Sequence, residues 1–438
     1  MDEMLARIGV SSIDELFEPV PERFRFEGDL EVPDALSEPE LISHLAELSR
    51  RNKGAADLVC FAGGGASDHH VPAAVRALAS RAEFATSYTP YQPELSQGVL
   101  QAIYEFQTLV CEIFGLEVAN ASLYDGASAL AEAVNLADRV TKRDRVVVAE
   151  TVHPHYVEVL RTWTSGLGTH IEVAPFDRAT GVVDWDAVDL EGAGAVVVGY
   201  PNVFGLLEDV SAAAVRARDA GALSIAVTDP TAMGVLKPPG GHGIDVAVGE
   251  GHGLGNPMSY GGPYVGLFAT KLEHVRQVPG RIAGETLDAD GRRAFVLTLQ
   301  AREQHIRRAK ATSNVCTNQT LMAIAAAIHL SWLGPEGLRR LGELCLARAH
   351  RAADRLSEIP DCEVRFDGPF YKEFVLRVPA PADKLAAAMA RQGFLVGPAL
   401  GRWYDAMDDC LVIAATEKRT PEEIERLAEA LEKELAGR

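Results

Sequence analysis

Apolar residues recur at helical spacing over SQGVLQAIYEFQTLVCEIFG (96–115), where Val99, Ile103, Phe106, Val110 and Ile113 share one face and Gly115 is placed to stop the helix. A second helix is predicted from Gly126 in DGASALAEAVNLADRV. The pattern then changes to short runs that are apolar throughout: RVVVAE (145–150), GAVVVGYP (194–201), LSIAVTDP (223–230), GIDVAVGE (243–250) and YVGLFAT (264–270). Such runs, separated by helical or loop segments, predict strands buried on both faces of a mainly parallel sheet. A long helix over NQTLMAIAAAIHLSWLG (318–334) leads to a C-terminal region that reads strand, strand, helix, strand, helix, from CEVRF to TPEEIERLAEALEKEL. Thr420, Pro421 and Glu423 supply the N-cap, first-turn proline and capping box of the last helix. The first 55 or so residues read as helical segments around a proline-rich stretch, EPVPERFRFEGDLEVPDALSEPE, expected to run extended. The prediction is an α/β chain in three parts: an N-terminal segment (1–58), a large α/β domain (59–335) and a smaller α+β domain (336–438).

Composition narrows the function. Hydrophobic residues make up 47% and charged residues 24%, an ordinary globular balance. The net charge of −20 argues against nucleic acid and anionic membranes as partners, since both require basic patches, and it suits a partner with a basic docking face. No apolar run reaches 18 residues, and the acidic, amphipathic N-terminus lacks the form of a signal peptide, so a cytoplasmic setting is expected. The six cysteines are scattered without a C-x-x-C pair, which argues against zinc or a disulfide framework.

Five stretches could carry chemistry. Gly126, Ala127 and Ser128 open a helix and could offer backbone donors and a hydroxyl to an anion, although on this stretch alone a plain N-cap with small residues for close packing is the preferred reading. SYTPYQPELSQ (87–97) holds two tyrosines and two prolines in a stiff loop suited to binding. GGGASDHHVP (63–72) carries His69 and His70, which point about 100° apart on a helix, so no shared metal is expected. LQAREQHIRRAKATSNVCTNQT (299–320) is locally basic in an acidic chain, with Arg302, His305 and the hydroxyl-rich Thr312, Ser313 and Asn314. His153 follows a strand, where ligands gather in open α/β sheets.

These stretches, with LKPPGGHGIDVAVGEGHGLGNPMSYGGPYVG and PGRIAGETLDADGRRAFVLTLQAREQHIRRAKATSNVCTNQTL, resemble the glycine dehydrogenase (decarboxylating) family, the P-protein of the glycine cleavage system, over essentially the whole chain. The resemblance implies the fold of fold-type I pyridoxal phosphate enzymes. In many bacteria this protein is split into two homologous chains, and the present one resembles the first, or alpha, subunit. In such enzymes an aspartate meets the pyridine nitrogen and a lysine forms the Schiff base. Here Asp229 is present, but His252 stands near the lysine's place, and Lys237 and Lys271 lie too far along the chain. The resemblance therefore implies a vestigial own site at Asp229, His252, Gly126, Ser128 and His153, with the cofactor held covalently by the beta subunit. It implies that this chain completes its partner's site, first through Tyr88, Thr89, Tyr91 and Glu94. Thr312, Ser313 and Asn314 would face the partner's cofactor, and Arg302 and His305 the substrate carboxylate or the lipoyl arm. The reaction implied is glycine decarboxylation with transfer of the aminomethyl group to lipoylated H-protein, in an alpha2beta2 heterotetramer. Two alternatives remain open: an enzyme complete in one chain through Lys310, and a non-catalytic subunit that only stabilises its partner.

Overall fold

The computed structural model describes residues 1–26 and 28–437. These form two compact units, Met1–Lys53 and Gly54–Arg438.

In the first unit, helix Asp2–Ile8 ends on Gly9 at φ +91°, and Ser37 and Glu40 form a capping box at the start of helix Glu38–Ser49. A short 3₁₀ turn, Asp14–Phe17, precedes the proline-rich region that the sequence predicts as extended, and a second, Glu22–Phe24, lies within it.

The second unit is built on a seven-stranded sheet. Its order is Val118–Ala119, Gly266–Thr270, Val246–Glu250, Leu223–Thr228, Ala195–Tyr200, Arg145–Ala149 and His170–Ala174. The last five are parallel to one another, and Gly266–Thr270 is antiparallel to its neighbours. The apolar runs become the central strands, and every residue of Ala195–Tyr200 is buried. His170–Ala174 is an edge strand with mixed exposed and half-buried positions, so no apolar run marks it in the sequence. Helix Gln97–Phe114 ends on Gly115 at φ +64°, as its spacing predicts. The hairpin Ile282–Leu287 and Arg293–Thr298 packs Ala283, Phe295 and Leu297 on that helix against Val99, Leu100 and Ile103. Two glutamines of the helix fasten it: Gln97 brackets the Phe295 backbone at 2.8 Å on both sides, and Gln107 does the same for Ala283 at 3.0 and 2.8 Å.

Two elements tie the expected large domain to the C-terminal layer near its boundaries. Strand Val59–Ala62 pairs in parallel with Phe394–Gly397, and Phe61 is fully buried among Phe374, Leu411, Ile413 and Ile424 of the C-terminal layer. At the other boundary, helix Thr320–Ser357 continues past residue 335, broken only at Gly334 (φ 60°) before Pro335. Its first half packs Ala323, Ala326 and Leu330 into the large core, and its end packs Ala349, Ala352 and Leu356 into the C-terminal one. By length and composition this helix could cross a membrane, a resemblance that long core helices share. The C-terminal layer is otherwise as the pattern predicts. Strands Glu363–Val364, Glu373–Arg377 and Cys410–Ala414 form an antiparallel sheet, joined by helices Ala382–Arg391 and Pro421–Ala436.

Candidate functional site

Two places gather the predicted residues. The first is a cleft at the carboxyl ends of the parallel strands, lined by His153, Asp229, Glu250 and His252 from the sheet side and by Lys372 from the C-terminal layer. Asp229 caps the turn Pro230–Gly234: its Oδ1 accepts from the Thr231 amide at 2.9 Å and the Thr231 hydroxyl at 2.7 Å. Its Oδ2 is 2.7 Å from Lys372 Nζ. Burial alone would raise the Asp229 pKa, but the Lys372 charge and hydrogen bond outweigh it and hold the carboxyl at about 2. The same partner acts in reverse on Lys372, where burial favours the neutral amine and Asp229 more than restores the ammonium.

Lys372 Nζ also lies 2.8 Å from His69 Nε2, and His69 Nδ1 lies 2.8 Å from Glu417 Oε2, to which Cys345 donates at 3.4 Å. The donor atoms of His69, Cys345 and Glu417 come within 4.8 Å of one another, a spacing that would suit a metal ion. Both His69 nitrogens are already engaged, however. An ammonium can only donate, so Nε2 accepts and the proton sits on Nδ1. The group is thus a hydrogen-bonded relay that sets Lys372 in place. His70 points elsewhere, and only its backbone N–H meets Glu417, at 2.6 Å.

His252 is buried, with Nε2 3.0 Å from the Ser67 amide nitrogen and 2.9 Å from the Ser67 carbonyl oxygen. Burial pushes its pKa down to about 3, so the ring is neutral. A neutral imidazole cannot serve as the amine that a Schiff base requires. Glu250 ends its strand with both carboxylate oxygens occupied. Oε2 accepts from Gly126 N at 3.0 Å, and Oε1 from His252 N at 3.1 Å and Val265 N at 3.2 Å. Burial raises its pKa to about 7 against the pull of these N–H groups.

Gly126 and Ser128 open helix Gly126–Thr141 as predicted, but their donors are spoken for. Gly126 N serves Glu250, and Ser128 N serves Asp125 Oδ1 at 2.7 Å in a reciprocal capping box. A methyl group at Gly126 would meet the Tyr156 hydroxyl and the Glu250 amide. Gly126→Ala is therefore expected to cost about 1–3 kcal/mol, read as a lowered urea midpoint at unchanged m. His153 caps helix Pro154–Thr164, accepts from His155 N at 3.1 Å and donates from Nε2 to Gly64 O at 2.7 Å. Burial lowers its pKa to about 4, and its ring leans on Trp403 at 5.4 Å between centroids.

The second place is a cavity of ≈ 390 Å³ lined by Tyr91, Glu303, Gln304, His305, Arg308 and Cys316, among others. It joins the two stretches singled out for a binding surface, far apart in sequence. Tyr91 and His305 rings are 5.8 Å apart, and Arg281 donates to the Tyr91 hydroxyl at 2.8 Å. Arg281 and Glu303 form a buried pair at 3.6 Å, each side chain 5% exposed, and His305 Nδ1 is 3.6 Å from the same Glu303 oxygen. The other Glu303 oxygen is buried with no hydrogen-bond partner among the described residues. Tyr88 is largely exposed, and its hydroxyl is 3.3 Å from that of Thr317. Thr89 is half-buried and accepts the Tyr91 N–H at 2.9 Å, while Glu94 is exposed in the turn Pro93–Leu95. Thr312 and Ser313 are half-buried and Asn314 is exposed. Ser313 accepts from Val315 N at 3.0 Å.

Arg302 does not fit the anion-binding role expected of it. It is buried and donates to the carbonyls of Leu299 at 3.1 Å, Gly280 at 3.1 Å and Val278. Its guanidinium is spent on holding the 278–280 loop. Lys237, Lys271 and Lys310 all lie outside the lining of the cleft.

Comparison with known proteins decides the family. The description "Glycine cleavage system P-protein" matches residues 1–431. The chain belongs to this P-protein family. Among its relatives, proteins named probable glycine dehydrogenase (decarboxylating) subunit 1 from Desulforamulus reducens and Rhizorhabdus wittichii are 46% and 48% identical, over 98% and 99% of this P-protein chain and 96% and 97% of theirs. A crystal structure of glycine decarboxylase (P-protein) of the glycine cleavage system, in inhibitor-bound form, superposes with TM-score 0.92 at 45% identity, over 99% of this chain and 97% of that one. Lactobacillus brevis glutamate decarboxylase, at 12% identity and TM-score 0.70 over 96% of this chain and 97% of its own, shares the fold alone. That fold is α/β of fold-type I, with a mainly parallel central sheet.

Within this P-protein cleft the residues present do not fit pyridoxal phosphate. His252, expected from the resemblance near the amine's place, is a neutral imidazole, the aspartate already holds a lysine, and the Gly126 and Ser128 amides already hold carboxyl oxygens. The sequence reading missed Lys372, Glu250, Arg281 and Glu303. The one available signal was a charged Lys372–Glu373 pair beside an apolar strand, a place where buried charges are uncommon unless paired.

Proposed function

We propose that this chain is subunit 1 of a split glycine decarboxylase. In this reading the second subunit holds pyridoxal phosphate covalently, and this chain lends that site the surface around Tyr91 and His305. The observation that carries the reading is the pairing of Asp229 with Lys372 in a cleft whose amine position is an imidazole. The cofactor, where bound, supplies an electron sink for the pair left when CO2 departs. The role of this chain is to bind and orient. The Tyr91 hydroxyl, accepting from Arg281, keeps its own proton free to donate into the cavity. His305, beside Glu303, is placed to hold a proton or meet a carboxylate. Tyr88, Thr89 and Glu94, on the same stretch as Tyr91, are assigned to the shared site, and Thr312, Ser313 and Asn314 to the segment facing the partner's cofactor. Arg302 is a positioning residue. The substrate is glycine, and the aminomethyl group passes to the lipoyl arm of H-protein.

Several features support a heteromer, which we assign as alpha2beta2. The relatives are named subunit 1. Phe17, Phe24, Phe26, Leu41, Ile42 and Leu45 are large apolar side chains left exposed in residues 1–53, a surface suited to cover by another subunit. The free thiols of all six cysteines suit a reducing cytoplasm, and the charge of −20 suits neither nucleic acid nor an anionic membrane. A purely stabilising subunit would also explain the filled cleft, but it has no use for the exposed tyrosines over a buried arginine–glutamate pair.

The deciding experiment expresses the chain alone and with the second subunit, adds pyridoxal phosphate, and follows both the visible band of lysine-bound cofactor and glycine–bicarbonate exchange. Band and exchange are expected only with the partner. A borohydride-reducible band on this chain alone would overturn the assignment.

A further inference from the structure

A cleft with an aspartate, a helix N-terminus and a capping histidine has the outline of a cofactor site, yet Asp229, the Gly126 and Ser128 amides and His153 already have partners, while His252 Nδ1 and Thr228 Oγ1 are buried without one among the described residues. We propose that this chain excludes pyridoxal phosphate from its own cleft by supplying a side-chain substitute for each of the cofactor's three polar anchors. Lys372 stands in for the ring nitrogen at Asp229, Glu250 for the phosphate at Gly126, and His252 takes the position of the amine that would bind the aldehyde. The inference rests on reading the cleft as the counterpart of a cofactor cleft, and on no assignment of the surface at Tyr91.

Each substitute is held from several sides. Lys372 Nζ is 2.7 Å from Asp229 and 2.8 Å from His69, which is anchored in turn by Glu417 at 2.8 Å. Glu250 takes three amide N–H groups at 3.0–3.2 Å, from Gly126, His252 and Val265. His252 is fixed by the Ser67 backbone. An incoming ring nitrogen would have to displace a buried ammonium from its carboxylate, and removing one partner of such a pair is costly. An incoming phosphate would meet the Glu250 carboxyl and Asp125 at the helix end, and would find no free amide at Gly126 or Ser128. The room left is ≈ 100 Å³, below the roughly 300–1,000 Å³ of ordinary ligand pockets. The substitutes come from two layers of the fold, with Lys372 beside strand Glu373–Arg377 and Glu250 and His252 at the end of Val246–Glu250. The cleft is therefore closed by folding itself.

The test uses the complex with the second subunit, pyridoxal phosphate and borohydride, and reads adducts by intact mass and peptide mapping, which assign each adduct to its chain. His252→Lys alone is expected to leave this chain unlabelled, as in the natural protein. His252→Lys combined with Lys372→Ala and Glu250→Ala is expected to label most of this chain at position 252. Labelling of the single variant as complete as that of the triple variant overturns the proposal, as does labelling of the natural chain or a folded triple variant that stays unlabelled. Should the triple variant not fold, Glu250→Ala alone is titrated with inorganic phosphate by calorimetry. Binding where the natural chain shows none supports the substitution, and no binding at millimolar phosphate overturns it. Exchange activity, assigned to the partner's site, is read separately, so failure of that reading is visible on its own.

Discussion

Replacing Tyr91 by alanine is expected to lower glycine decarboxylation by the reconstituted pair roughly hundredfold without loss of assembly, the scale of removing one preorganised donor from an active site. The effect originates at Arg281, which is buried and paired with Glu303 at 3.6 Å. Its Nη2 donates to the Tyr91 hydroxyl at 2.8 Å, so that oxygen accepts a charge-assisted bond and its own O–H is left for another acceptor. The ring is half exposed and stands against His305, so the loss of Tyr91 removes the donor and unseats the histidine together. Tyr91→Phe keeps the ring and is expected to retain His305 placement while losing the donor, lowering kcat more than it raises KM. Asn314→Ala, on the exposed end of the hydroxyl-rich segment, is expected to fall in the same direction. Full activity in both Tyr91→Ala and Asn314→Ala, measured by glycine–bicarbonate exchange on complexes of normal size, would remove this surface from the shared site.

The largest stability effect is expected at Lys372. Lys372→Met leaves the Asp229 carboxylate without its counter-charge in a largely buried position, a change that costs about 3–5 kcal/mol. Since one side of Asp229 opens to the cleft, the lower end of that range is expected. Adding Asp229→Asn to Lys372→Met removes the stranded charge and should recover most of the loss, a coupling that a double-mutant cycle reads directly. The pH dependence has a definite sign. The folded-state pKa of Asp229 lies at about 2, below its ordinary 3.8. Its contribution is therefore complete above pH 3.8 and fades as pH falls toward 2. The natural protein should lose that increment across this acid window, whereas Lys372→Met should show a flatter profile there. Equal urea midpoints for the natural protein and Lys372→Met at pH 7 would mean that the pair contributes nothing.

The central architecture was legible because buried parallel strands leave an unmistakable trace: RVVVAE, AVVVGY and SIAVT have no polar face to show. The edge strand His170–Ala174 mixes exposed and half-buried residues, with Ala174 alone in it buried, and leaves no such trace. The strand Phe394–Gly397 and its partner Val59–Ala62 were hidden for another reason, since each is four residues long and neither makes sense without the other. For the site, the two surface stretches were found separately through stiffness and local charge, and the structure brings Tyr91 and His305 within one cavity. Arg302 misled because charge in a sequence reads as surface, whereas this guanidinium is consumed by backbone carbonyls. Lys372 was invisible for a geometric reason. The missing amine is looked for among lysines flanking His252 along the chain, whereas the lysine that reaches Asp229 comes from a different layer of the fold.

The pairing of Val59–Ala62 with Phe394–Gly397 also bears on how the protein is made. A chain emerging from the ribosome presents its early strand, with Phe61 among its apolar residues, long before the matching edge exists. That strand can reach its place only once synthesis has passed Gly397, when the C-terminal layer can assemble around it. Until then an apolar segment with unpaired backbone stays exposed to other nascent chains, a window in which chaperones would be needed most. A chain truncated just before residue 394 should consequently aggregate on expression, even though the whole seven-stranded sheet lies upstream of the cut.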